Sequence, residues 1–444
     1  MQEIKNILHW RHLIDALNSI PRIWLQVLTI FAATVYVPAA NAAILKNDGA
    51  NQTTVFVGTC LCLCIMSLSA GLVLRRPLVI GPAMGINTFI SVTVVNRAGA
   101  SFEQALAVST LAGGLLLLAA YSGFAKRVLA AIPDSIQISV VVSLGALLVV
   151  HALGAAGITS RGVSGNTTVV TLLCFATMML GYAFKKHAYV LFGILTGVVM
   201  QAITGGWKQP DAWVQLPKVA EIPHPSIWGV LTRLDLVPYI LVVALIVLID
   251  LSGTMRFLNF AGYLYETEEE LQQRSNQALV LSGWGAICAG LLCSCYASLV
   301  YLESITGLKV GKCENRYANA GRVAMLVGVL FLVLSCFRWI PQMVPKEVGY
   351  AILIMIGFLM TRTAFKLKPE TKAELVGSFF MIFLTAGTQS LALGILLGLL
   401  SYIAVEHMER RHAAIEGQPC AYPIKAEVYW LGALCLVMLP FVRV

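Results

Sequence analysis

The chain alternates long apolar runs of about 18–25 residues with short polar clusters. An α-helix rises about 1.5 Å per residue, so a run of about 20 apolar residues crosses the roughly 30 Å hydrocarbon core of a bilayer. The pattern predicts an all-α, polytopic membrane protein.

A long polar loop at 206–232 divides the predicted segments into two nearly equal halves. The spans predicted before it lie at 22–45, 53–74, 77–95, 103–122, 133–154, 167–184 and 187–205. Those predicted after it lie at 234–258, 277–297, 298–308, 319–337 and 347–363, followed by a hairpin-like run at 374–407 broken at 387–390. These are about 14 transmembrane segments. Because an odd number of crossings inverts the second half, they predict two inverted repeats of seven helices.

The two ends of the chain differ from this pattern. The first 20 residues are amphipathic and charged, so we expect a surface helix and no cleavable signal peptide. A last apolar stretch at 427–441 is a fifteenth element, and the pattern leaves open whether it crosses the membrane.

Two predicted segments, 77–95 and 298–308, are short and interrupted. Gly81, Pro82 and Gly85 lie at the centre of the first. In transporters, Gly/Pro interruption of a short apolar segment indicates a binding site near the bilayer midplane. A half-helix that starts there directs unpaired N–H groups, with their partial positive charge, at the cavity.

Two carboxylates are predicted at membrane depth. Glu303 ends the otherwise apolar run of the second short segment, and Asp250 lies about 16 residues into its span. A charge there costs about 2.5–3.5 kcal/mol on insertion scales, so it usually marks a solute or proton site. The alternatives are a helix-end Glu303 that reaches the membrane surface and an Asp250 paired with Arg256. Six residues correspond to about 240° around a helix, so those two side chains do not share a face.

The candidate site favours a planar heterocycle with adjacent N–H groups. A carboxylate such as Glu303 accepts two N–H donors side by side. Asn87 offers both a donor and an acceptor, although a single intramembrane asparagine is also a common packing residue. Asn41 follows Pro38, which interrupts the first span.

Composition excludes a soluble domain. The chain is 58% hydrophobic and 12% charged, with a mean hydropathy of +0.80. Its net charge of +9 comes mostly from lysines and arginines in short loops, where they set orientation, so we expect lipid rather than nucleic acid as the partner. The distribution of these basic residues predicts a cytoplasmic N-terminus in the cell (inner or plasma) membrane.

Catalytic and metal-binding patterns do not stand out. Most of the eleven cysteines lie inside apolar spans and are expected to be packing residues, for example Cys60, Cys62, Cys64, Cys293 and Cys295. The histidines are scattered, and no Ser-His-Asp order, phosphate loop or nucleotide fingerprint is present. We therefore expect no enzyme, no catalytic residue, no metal and no cofactor, with a proton gradient supplying the coupling ion.

Four motifs resemble the adenine, guanine and hypoxanthine permeases, the AzgA-like branch of the nucleobase–cation symporters (nucleobase–ascorbate transporter family). GPAMGINTF (81–89) resembles the GPGMGLNAFF-type segment of that branch. VYVPAANAAIL (35–45), IDLSGTM (249–255) and YLESITGL (301–308) are similar to its AYILFVNPAIL, FDTIGTL and SYIESAAGI, in the same order.

The resemblance implies a UraA-like fold in which a core domain moves against a gate domain. Segments 1–4 and 8–11 form the core at 1–123 and 233–345, and segments 5–7 and 12–14 form the gate at 124–232 and 346–444. It implies proton-coupled uptake of nucleobases, most of all purines, by an elevator-type movement. A homodimer through the gate domains is compatible with this interpretation.

The resemblance also assigns site residues. Glu303 matches the family's substrate-binding glutamate, and Asp250, Asn87 and Asn41 match polar positions of segments 8, 3 and 1. Ser298 is the hydroxyl that remains of a Ser/Thr-rich lead-in to the tyrosine, and Asp250 and Glu303 are the expected proton-coupling residues.

This chain departs from the family pattern in ways that bear on substrate and proton number. Val247 stands where the branch often has an acid, and Ala83 replaces the second glycine of the GPGMG pattern. A uracil or xanthine permease stays open. So does an anion transporter or channel on the same fold, although a carboxylate at the site repels anions. A non-transporting scaffold has no reason to keep two acids and two broken segments at membrane depth.

Overall fold

The computed structural model describes residues 23–158, 165–184, 189–204, 213–215, 223–262, 264–292, 296–311, 320–415 and 426–441. Three sequence predictions lie wholly or mostly outside these residues: the surface helix at the start, the long loop at 206–232 and the packing role of Cys293 and Cys295.

The described residues are predominantly helical, as predicted. The helices of the first half are α1 (Ile23–Leu45), α2 (Gln52–Val73), α3 (Met84–Phe89), α4 (Phe102–Tyr121), α5 (Phe124–Ala131), α6 (Asp134–Ala155), α7 (Asn166–Ala183) and α8 (Tyr189–Ile203). Those that follow are α9 (Ile227–Leu231), α10 (Val237–Gly262), α11 (Glu268–Leu292), α12 (Ile305–Gly311), α13 (Gly321–Leu334), α14 (Ile340–Met343), α15 (Lys346–Thr361), α16 (Lys372–Thr388), α17 (Leu391–Ile415) and α18 (Ala426–Met438).

Eight helices of the described chain are long and apolar enough to cross a membrane, and α8 and α13 are shorter apolar helices. The prediction of a polytopic α-helical membrane protein is confirmed. The count of 14 segments stays a prediction.

Both short segments contain a strand where the sequence predicted only broken helix. Strand β1 (Ile80–Pro82) pairs antiparallel with β2 (Ser298–Val300), and Gly81 lies opposite Leu299. Pairing satisfies the backbone groups that the Gly/Pro interruptions free, which a lipid-surrounded chain requires. Three-residue strands are too short for an alternating pattern to be visible in the sequence.

The second segment after the long loop begins earlier than its apolar pattern predicted. Helix α11 starts at Glu268 rather than at 277. Thr267 accepts a hydrogen bond from the Glu270 N–H at 3.1 Å, and three consecutive glutamates occupy the first turn, where the helix dipole favours negative charge. The apolar pattern therefore located the part of this helix that suits the membrane and missed its polar start.

Close glycine contacts repeat in the two halves of the chain. Gly71 of α2 lies against Gly321 of α13, and Gly113 of α4 lies against Gly283 of α11 in the same way. A Cβ at Gly113 would approach the Gly283 carbonyl oxygen to 2.7 Å, so glycine is needed for these helices to touch. If segment n of the first half matches segment n+7 of the second, the two contacts are equivalents of each other, as inverted repeats require.

The long helices pack in two groups. Helices α1, α2, α4, α10, α11 and α13 form one group around the strand pair, with α2 against α13 and α4 against α11. Helices α6, α7, α8, α15, α16 and α17 form the other, with α6 against α15 and α16 against α17. The strand pair and the broken segments belong to the first group.

The last helix, α18, packs against α17 and α5, and the following turn Leu439–Phe441 contacts the turn Leu234–Leu236. Helix α5 follows the end of α4, whereas Arg233 donates to the Ala98 carbonyl oxygen just before α4 starts. The fifteenth element therefore runs along the bundle, from one end of α4 towards the other.

Candidate functional site

The strand pair fixes the two broken segments against each other. On either side of the β1–β2 register, the Ala83 N–H donates to the Ala297 carbonyl oxygen at 2.8 Å and the Tyr301 N–H donates to the Val79 carbonyl oxygen at 2.9 Å. Helix α3 begins directly after β1, while β2 leads through the turn Leu302–Ser304 into α12. Two short helices thus start from one crossing point, as the sequence predicted.

Glu303 is held between two anchors. On one side of it the Tyr301 hydroxyl donates to the Pro82 carbonyl oxygen at 2.8 Å, and on the other the Ser304 hydroxyl accepts from the Val79 N–H at 3.1 Å. The anchors fix the backbone on both sides of Glu303, whose side chain remains half-buried rather than enclosed. Preorganisation of this kind is what a binding carboxylate needs.

Gly81 makes this anchoring possible. A Cβ at Gly81 would collide with the Leu63 side chain and lie 2.8 Å from the Tyr301 hydroxyl. A side chain there would therefore push Tyr301 away from its bond to segment 3, which explains the glycine at the centre of the break.

Tyr36 binds the Glu303 carboxylate, and sequence reasoning missed it. Its hydroxyl donates to Glu303 Oε1 at 3.1 Å. Tyr36 lies in the break of α1, where a new helical stretch starts at Val37 with Pro38 in its first turn. Proline is tolerated there because the N–H it lacks has no helical partner. The available signal was the aromatic residue two positions before Pro38.

Asn41 and Asn87 belong to a buried series of side-chain hydrogen bonds. The Asn87 side-chain amide donates to Asn41 Oδ1 at 2.9 Å, and the Asn41 amide donates to the Thr59 hydroxyl at 2.8 Å. Both asparagines are fully buried. Asn87 Oδ1 has no hydrogen-bond partner among the described residues. These hydrogen bonds hold the first three predicted segments together and leave Asn87 Oδ1 unused as an acceptor.

Asp250 lies on a face of α10 that is turned towards the other helix group, that of α6 and α15. Gly253, one turn further, has open space where a Cβ would be, and Phe257, a second turn on, lies 5.7 Å from the Lys366 ammonium. Lys366 belongs to the turn after α15 in the other helix group. Asp250 is half-buried and makes no hydrogen bond or ion pair within the described chain. It therefore borders the space between the two groups.

Helix α10 also packs against β2, the turn Leu302–Ser304 and α12, which brings the helix of Asp250 beside the segment of Glu303. Ser298 lies in β2, opposite Pro82. Its hydroxyl is fully buried and lies 3.4 Å from the Cys62 thiol on α2. Cys60, Cys62 and Cys64 are buried, as expected of packing residues.

The helix group of α6 and α15 touches the first broken segment at two places. Gly85 packs against Leu144 of α6 and Met360 of α15, at 3.3 and 3.5 Å from its would-be Cβ. At the far end of the segment, the Arg97 guanidinium donates to the Thr388 carbonyl oxygen at 2.5 Å and to Gln389 Oε1 at 2.9 Å. The Gly85 contact is between helices, whereas the Arg97 contact is made by one side chain with the end of α16.

Comparison with known proteins places the chain in a family. The family model described as "Permease family" (Xan_ur_permease) matches residues 25–395, so the chain belongs to this permease family. The chain is a multi-pass membrane transporter and not an enzyme, and the resemblance predicted from its motifs is confirmed.

Several relatives are named for nucleobases. "Adenine permease AdeP" of Escherichia coli is 26% identical over 396 residues, which cover 85% of this chain and 85% of that protein. "Guanine/hypoxanthine permease PbuG" of Bacillus subtilis is 24% identical over 409 residues, which cover 84% of this chain and 88% of that protein.

The fold matches that of solved transporters. The transmembrane domain of the cyanobacterial bicarbonate transporter BicA aligns with a TM-score of 0.59 and 17% identity, covering 84% of this chain and 97% of that domain. SLC26A9 aligns with a TM-score of 0.62 and 12% identity, covering 88% of this chain and 66% of that protein. The inverted-repeat fold class is confirmed.

Proposed function

We propose that this chain is a proton-coupled symporter that takes up nucleobases, and purines in particular, across the cell membrane. One observation carries the proposal: a glutamate, Glu303, is presented by a broken segment with its backbone fixed on both sides and its side chain half-buried. The names of the relatives support the substrate class.

In this proposal Glu303 binds the base. Its carboxylate accepts two adjacent ring N–H groups, while Tyr36 orients it through Oε1. The unused Asn87 acceptor and the first N–H groups of α3 are available to the solute's other polar groups. The solute then lies where the two broken segments meet.

Asp250 and Glu303 are the proposed proton-coupling residues. Asp250 borders the space between the helix groups and has no cationic partner in the described chain, so a proton is its natural counter-charge. The group with the strand pair acts as the core and moves in an elevator-type step against the group of α6 and α15, which acts as the gate. The contacts of Gly85 and Arg97 with the gate then change during each cycle.

The test is exchange and uptake in proteoliposomes. Proteoliposomes loaded with labelled adenine or hypoxanthine should exchange the label for external base without a gradient. Empty proteoliposomes should accumulate labelled base when the outside is more acidic. A panel of unlabelled adenine, guanine, hypoxanthine, xanthine and uracil ranks the substrates by inhibition. Bicarbonate and chloride serve as anion controls. Anion flux without base exchange contradicts the proposal.

A further inference from the structure

A further carboxylate, outside the residues proposed to bind the solute, is buried. Asp48 ends the turn Lys46–Asp48 after α1 and is only 7% exposed. Its Oδ1 accepts a hydrogen bond from the Ser91 hydroxyl at 2.5 Å, and its Oδ2 accepts one from the Tyr296 hydroxyl at 3.2 Å. A buried charge of this kind needs an explanation, because burial without an ionic partner is costly.

The two hydroxyls belong to the two broken segments. Ser91 lies in the π-helical stretch Ile90–Arg97 that continues α3, and Tyr296 comes two residues before β2. π-Helical turns are rare and are often found at functional sites. Asp48 thus ties the two broken segments together through a second link, independent of the strand pair.

Ser91 also lines a small cleft between the two helix groups. Polar side chains line it from both sides: Thr88, Ser91 and Asn96 from the first group, and His151 and Lys346 from α6 and α15 of the second. The Ser91 hydroxyl therefore stands between the cleft and the Asp48 carboxylate.

The surroundings of Asp48 let it change charge under mildly acidic conditions. It lies in a turn between the candidate spans, and burial raises its pKa to about 6, although the bonds from Ser91 and Tyr296 act to lower it. The charged groups around it have other positions. Lys46 is exposed on the same turn, Arg97 is bonded to Thr388 and Gln389, and His151 and Lys346 line the far wall of the cleft.

We propose that Asp48 is a proton-binding residue of the transport cycle, which exchanges protons with the cleft through the Ser91 hydroxyl and loosens the tie between the broken segments when it is neutral. The idea rests on the proposed proton-coupled function. In the relay, a hydronium ion in the cleft gives a proton to Ser91 Oγ and is left as water, while the Ser91 hydroxyl proton passes to Asp48 Oδ1. The carboxyl group then has one O–H donor, and two charge-assisted hydrogen bonds become weaker neutral ones.

The experiment compares the parent with Asp48→Asn and with Glu103→Gln, a matched control at an exposed acid in the first turn of α4. Labelled adenine or hypoxanthine is followed in proteoliposomes at external pH 5 to 8, both as exchange without a gradient and as uptake with one. In parallel, pH-difference infrared spectra of the purified proteins record carboxyl protonation.

We expect the stimulation of uptake by external acid to be at least about tenfold smaller in Asp48→Asn than in the parent. We also expect this variant to lose one carboxyl signal that titrates near pH 6. Glu103→Gln should behave as the parent does. A parent-like pH profile or an unchanged carboxyl signal in Asp48→Asn overturns the proposal. If the parent exchanges no base, the proposed function itself is contradicted. If the parent exchanges bases but is not stimulated by acid, the role of Asp48 in coupling is overturned.

Two further variants keep the test informative if Asp48→Asn does not fold. Ser91→Ala and Tyr296→Phe each remove one donor to the carboxylate, so each should move the titration of Asp48 to higher pH by about half a unit or more. Ser91→Ala should also slow protonation from the cleft. An unshifted titration in both variants overturns the proposal.

Discussion

The two broken segments share one backbone arrangement, but their polar side chains have different environments. Each contributes one strand to the β1–β2 pair and continues into a short helix. In the first segment the polar residue of the motif, Asn87, is fully buried and bonded to Asn41. In the second it is Glu303, whose half-buried carboxylate accepts a hydrogen bond from Tyr36 through one oxygen.

This difference separates scaffold from binding group. A buried amide with a side-chain partner stabilises the meeting of three segments, whereas a half-buried carboxylate keeps lone pairs for a ligand. The comparison predicts that substitutions in the second broken segment (298–308) mainly change transport. Substitutions in the first broken segment (77–95) should change both stability and transport.

The largest effect is expected for Glu303→Gln. The amide loses the charge-assisted bonds and presents a donor to the solute's N–H groups, a loss of about 3 kcal/mol or roughly 100-fold in affinity. Competition uptake measures it, with membrane protein quantified alongside. The exposed Glu269→Gln is the control. Parent-like affinity in Glu303→Gln vesicles would remove Glu303 from the binding site.

Asp250→Asn should abolish accumulation while exchange persists. For one coupled proton, each pH unit of gradient supports at most about tenfold accumulation, and a residue that cannot be protonated and deprotonated loses this coupling. Accumulation ratios and exchange rates are measured in the same vesicles, with the exposed Asp134→Asn as control. An equal fall of binding and accumulation would instead place Asp250 in the solute site.

Asn87→Ala tests both roles of the first segment. Loss of the bond to Asn41 should lower stability by about 1–3 kcal/mol, and loss of the free acceptor should reorder the inhibition by five unlabelled bases. Thr59→Val is the matched control, because it breaks the same chain at its other end and leaves Asn87 intact. If both variants lower thermal stability and keep the parent's order of bases, Asn87 is a packing residue alone.

The smallest effect is expected for Tyr36→Phe. Removing one hydrogen bond to a charged group costs about 1.5–3 kcal/mol at most, and less where water or solute replaces the hydroxyl, so we expect a several-fold rise in KM. Tyr121→Phe, at an exposed position, is the control. An effect as large as that of Glu303→Gln would mean that Tyr36 contacts the solute itself.

Part of the site could be predicted from the sequence. The positions of Gly81, Pro82 and Glu303 in short apolar segments indicated two broken helices and an acid at depth, and the structure has the breaks there. The strand pair was not predicted, because three residues carry no periodic signal. The start of α11 was placed nine residues late, because apolarity indicates the membrane-suited part of a helix and not its capped polar beginning.

The sequence by itself determined the class of protein, since the cost of placing backbone and charge in hydrocarbon is a local property of each run of residues. Only the tertiary structure decided which polar groups meet. Tyr36 and Glu303 are 267 residues apart, Asp48 and Tyr296 are 248 apart, and Asn41 and Asn87 are 46 apart. Such contacts depend on how two inverted repeats interlock, and a local pattern of apolar and polar positions does not specify that arrangement.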